Sequence, residues 1–157
     1  MEELLEAYDI YPDMPKHFRD VEAMIGRLPL SLRLWYEEVG AVNFYGHHPR
    51  WSDYVELGAT MAYADPLQVC VLDDAHMAHL RERHQRGHLH AFEFAPDPYF
   101  KDYKAGSSTP FRILPADAID GELASYPSRP TLVHYLRRCM RWAGYPGMAE
   151  WSSVPED

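Results

Sequence analysis

The residues with the most chemical potential in this chain are its histidines. His76, His79, His84, His88 and His90 fall within fifteen residues, and His47 and His48 stand side by side upstream. Neutral imidazoles are the commonest protein ligands for zinc-like ions, so the enzyme class this pattern could support is a metal-dependent hydrolase. The spacing argues otherwise. His76 and His79 could share a helix face, but no cysteine or carboxylate stands at a complementary zinc spacing and HisGluXaaXaaHis is absent. The interleaved Arg81, Arg83 and Arg86 would also repel a cation. The expectation is a solvated, mildly basic helix and turn, with no metal and no cofactor.

Nucleophilic chemistry has even less support. There is no GlyXaaSerXaaGly elbow and no CysXaaXaaCys, and Gly106-Ser107-Ser108 reads as a loop with no phosphate-cradling context. Carboxylates are so plentiful that pairing two as acid and base would be arbitrary. The expectation is therefore a chain that is not an enzyme.

Charge is more informative. The net charge of −9 disfavours DNA or RNA and anionic membrane surfaces, both of which attract cationic proteins. It is also unevenly placed. Between Arg50 and Arg81 there is no Lys or Arg, whereas Asp53, Glu56, Asp65, Asp73 and Asp74 supply five acids, with Trp51, Tyr54 and Tyr63 among them. From Leu123 to Ala149 the pattern reverses, with Arg129, Arg137, Arg138 and Arg141 and no acid. Acids interleaved with aromatics suit a surface that steers a basic protein and then grips it. Those eight residues, Trp51, Asp53, Tyr54, Glu56, Tyr63, Asp65, Asp73 and Asp74, are the candidate partner-binding set.

The elements that must position them follow from hydrophobic period and caps. Apolar residues at Phe18, Val21, Ile25 and Leu28 make one face of a helix over 16–28, after a possible short helix at 2–8 and a Pro-rich turn at 11–15. Pro29 suits the first position of a second helix, whose buried stripe is Leu32, Trp35, Tyr36 and Val39 and whose stop is Gly40. Strands are expected at 41–45, 67–72, 89–95 and 111–114, with loops at 46–50 and 102–110. Asp73-Asp74 caps a helix over 75–85 that ends at Gly87, and Thr131 caps a final helix with Leu132, Tyr135, Leu136 and Cys139 facing inward. Helices and strands are segregated with few crossovers, which gives an α+β fold rather than a doubly wound α/β sheet.

The 157 residues, 46% hydrophobic and 25% charged, fit one domain, 1–157, able to bury a core without metal or disulfides. Cys70 and Cys139 fall within apolar patterns, as reduced core thiols would. The acidic MetGluGluLeuLeu start lacks the basic and apolar regions of a secretory signal, and no apolar run nears membrane-spanning length. A cytoplasmic protein is expected.

Leu28–Val42, LeuProLeuSerLeuArgLeuTrpTyrGluGluValGlyAlaVal, resembles the SUKH superfamily, which includes yeast cell-wall-assembly regulators and many bacterial immunity proteins. Pro29, Leu32, Trp35, Tyr36 and Gly40 fill the places of that family's LeuPro helix and its glycine stop; where the family often has AsnGly or GlyGly, this chain has Gly40-Ala41. AspProLeu at 65–67, PheGluPheAlaProAsp at 92–97 and the closing helix at 131–147 match its order of elements. The resemblance implies helices packed on a mostly antiparallel sheet and no catalytic residues. It also implies a role in neutralising a toxin, often a nuclease, or in regulation as a scaffold.

Overall fold

The computed structural model describes residues 13–44, 54–57, 60–63, 65–96, 101, 110–126 and 128–147. The expected features at 2–8, 46–50 and 102–109 lie outside them.

The first helix, α1 (Met14–Ile25), carries Pro15 in its first turn and buries Met14, His17, Phe18 and Val21. It is shorter than the hydrophobic period suggests. Gly26, at φ 98°, breaks it, and Leu28 reaches the core from outside the helix. Glu22 secures this corner, accepting from the Leu28 N–H at 2.9 Å and from Arg33 at 2.8 Å. The second helix, α2 (Leu30–Glu38), begins one residue after Pro29, which sits at the cap.

The inward stripe of α2 also differs from expectation. Leu32 and Tyr36 are buried, while Trp35 is half-buried and Val39 is 43% exposed. Leu32 and Tyr36, one turn apart, share the inward face, and Trp35 lies about 100° around the helix from Tyr36. There the Trp35 indole N–H donates to the Gly40 carbonyl at 2.9 Å. Tyr36 stacks on Phe18 at 5.1 Å and meets Phe92 edge-on at 5.7 Å, with its hydroxyl bonded to the Cys70 carbonyl.

Among the described residues the strands form three antiparallel pairs: β1 (Val42–Asn43) with β4 (Gln68–Val69), β2 (Tyr54–Leu57) with β3 (Thr60–Tyr63), and β5 (Phe92–Ala95) with β6 (Phe111–Ile113). A Cys70 N–H to Phe94 carbonyl bond of 2.7 Å ties β4 to β5, and a bridge from Ile113 to Leu123 extends the surface beyond β6. The strands expected at 41–45 and 67–72 shrink to two residues each. Their flanking backbone groups bond elsewhere, as where Leu67 N–H donates to the Gly144 carbonyl at 2.6 Å.

The remaining helices follow their caps. Asp73 accepts from the His76 N–H at 2.8 Å and starts α3 (Asp74–Gln85), a mostly polar helix that buries Met77 and Leu80. Thr131 caps α4 (Leu132–Arg141), whose inward face is Leu132, Tyr135, Leu136 and Cys139, as the sequence implies. One continuous core joins the four helices among the described residues to β4, β5 and β6, so the architecture is a single-domain α+β fold. Among the described residues, no helix is long and apolar enough to cross a membrane.

Candidate functional site

Of the eight candidate partner-binding residues, Trp51 and Asp53 lie outside the described residues. Tyr54 and Glu56 fall on β2 and Tyr63 on β3, with Tyr54 opposite Tyr63 and Glu56 opposite Met61.

Asp65 corrects the expectation of a uniformly exposed acidic segment. It is only 2% accessible, and its carboxylate accepts from the Lys101 ammonium at 2.7 Å and from the Tyr126 hydroxyl at 3.2 Å. Lys101 has no accessible surface. It also reaches the Tyr135 hydroxyl at 3.1 Å and lies over the Phe111 ring, 4.4 Å from its centroid. Burial pushes the Asp65 carboxyl above its usual range, with Lys101 and Tyr126 pulling the other way. An acid so enclosed cannot meet a partner's surface; it joins the chain after β3 to Lys101 and to α4.

Asp73 is committed to capping α3, and among Asp65, Asp73 and Asp74 only the last presents a fully exposed carboxylate, 99% accessible and 3.3 Å from the His17 ring. The charge asymmetry in the sequence is real, but two of its acids hold the fold together.

The histidines disperse. His79, His84, His88 and His90 are exposed, and His76 is half-buried, its pKa lowered chiefly by that burial. Among the described residues, no three His, Cys, Asp or Glu side chains converge as metal ligands, and His47 and His48 lie outside them. Both thiols are unreactive in character: burial raises Cys70 to about 11 and Cys139 to about 12.

The surface feature with chemical promise is apolar. Leu30, Leu34 and Trp35 on α2, Val133 and Leu136 on α4, and Ile119 line a groove of about 400 Å³. Its end is built by the 118–121 segment. Leu30 and Ser31 N–H groups donate to the carbonyls of Ala118 and Ile119 at 3.0 and 2.9 Å. Asp120 accepts from the Ser31 hydroxyl at 2.8 Å and from the Val133 N–H at 3.3 Å, so one carboxylate anchors the first turns of both helices. Partial burial opposes its charge, but the bonds from Thr131, Ser31, Gly121 and Val133 outweigh that and hold it below the usual range.

This groove went unread in the sequence, although a signal for it exists. Between 30 and 36, α2 carries Leu30, Leu32, Leu34, Trp35 and Tyr36, more apolar residues than one buried face can use, and α4 adds Val133 and Met140 outside its core stripe. Surplus apolar residues on a short amphipathic helix mark a second face.

Comparisons of this chain with protein-family models, with curated proteins and with solved structures find no match.

Proposed function

We propose that this chain is a non-catalytic, cytoplasmic protein-binding domain, of the toxin-neutralising kind that its LeuPro helix resembles. The observation that carries the reading is the α2–α4 groove: contiguous exposed apolar surface, with Leu34 47% and Ile119 80% exposed. Apolar patches of this kind on small proteins mark surfaces that another chain covers. The net negative charge favours encounter with a basic toxin domain, and two free cysteines suit a reducing compartment.

The test is co-expression with the product of the gene that neighbours its own, scored by whether that product is toxic and whether this chain restores host growth. The wild-type chain should restore growth, and Leu34→Asp, once shown to fold by circular dichroism, should not. Equal rescue by Leu34→Asp would remove the groove from the function, and failure of the wild type to rescue would remove toxin neutralisation.

A further inference from the structure

The two sides of the groove carry opposite charge. On the α2 side, Glu38 lines it and is exposed. On the α4 side, Arg137 stands one turn beyond Val133 and Arg141 one turn further, both exposed, on a helix with no acid. Met140, one turn beyond Leu136 on the same face, is 76% exposed and prolongs the apolar floor. Both helices start at the 118–121 segment, so Glu38 and the two arginines lie toward the same far end of the groove.

This arrangement complements itself. Rotation by half a turn about an axis along the groove lays α2 of one copy over α4 of the other and keeps that charged end in register. Glu38 of each copy then faces Arg137 and Arg141 of the other, and Leu34 faces Val133 and Met140. Each contact occurs twice, as a closed two-fold interface requires. A heterologous partner would have to supply apolar, acidic and basic groups in matching order, whereas a second copy has them already.

Resting on the reading of the groove as a protein interface, we propose that its occupant is a second copy of this chain, giving a two-fold dimer. The dimer leaves the remaining, predominantly acidic surface outward for a basic partner.

Sedimentation velocity of the purified full chain across the micromolar range tests this, and the wild type should sediment as a dimer. Ile119→Lys, at a mostly exposed position, should keep its circular dichroism spectrum and weaken association about tenfold or more. Arg137→Glu, facing Glu38, should weaken it similarly, and adding Glu38→Arg to that variant should restore it. A wild type that stays monomeric throughout overturns the dimer, as do substitutions that leave its association unchanged. The two readings fail separately: a monomer whose neutralising activity is lost with Leu34→Asp retains the groove as an interface with another protein and overturns the dimer alone. If Leu34→Asp changes neither association nor neutralisation, both are overturned.

Discussion

Replacing Lys101 by Met removes the cation from a site with no accessible surface and keeps much of its side-chain volume. The Asp65 carboxylate, 2.7 Å from that ammonium in the native chain, then keeps only uncharged tyrosine hydroxyls among the described residues, Tyr126 and Tyr135, to offset its charge. Breaking a buried pair in this way costs about 3–5 kcal/mol, because an uncompensated charge remains. That is a large part of the ~5–15 kcal/mol that holds a domain folded. At roughly 2–4 °C per kcal/mol for a chain this long, the melting temperature should fall by on the order of 10 °C. The loss should depend on pH with a definite sign. Asp65 keeps its proton to higher pH in the folded chain than in the unfolded one, where carboxylates titrate near ~3.9. Between those two values the folded state binds more protons, so stability falls as pH rises through the window and is regained below it. Removing Lys101 takes away the main influence lowering the Asp65 pKa and extends the window upward. Adding Asp65→Asn, which tolerates the positive φ of 51° at this position, should recover most of the loss by removing the stranded charge. Thermal denaturation of the single and double variants from acid to neutral pH reads all of this. A Lys101→Met protein melting within about 2 °C of wild type at neutral pH would refute the desolvated pair.

Two further outcomes follow from the helix cap and the thiols. Asp73→Ala should lower urea-unfolding stability by about 1 kcal/mol through loss of the α3 cap, with Asp73→Asn close to wild type; equal stability of all three would remove the capping role. With pKa values raised to about 11 and about 12, Cys70 and Cys139 should react with an aromatic disulfide reagent at mildly alkaline pH far more slowly in the native chain than after unfolding in urea, and fast native labelling of either would contradict its burial.

The sequence by itself determined the local structure. Caps at Asp73 and Thr131, the glycine stops at Gly87 and Gly144, and the inward face of α4 involve residues within a turn or two of each other, so propensity and period suffice to place them. The α+β class follows from the order of those elements. Tertiary structure decided everything that depends on distant partners. The strands at 41–45 and 67–72 are cut to two-residue pairs because their backbone groups bond to Gly144 and to β5, which no local pattern encodes. Asp65 looked like one more surface acid and is instead the buried partner of a lysine 36 positions away. In α2, the periodic pattern put Trp35 and Val39 on the buried stripe with Leu32 and Tyr36; packing of Tyr36 against Phe18 and Phe92 kept only Leu32 and Tyr36 inside and left Trp35, Leu34 and Leu30 around a groove. A helix with two apolar faces buries whichever one its neighbours cover, and those neighbours are brought there only by the folding of the whole chain.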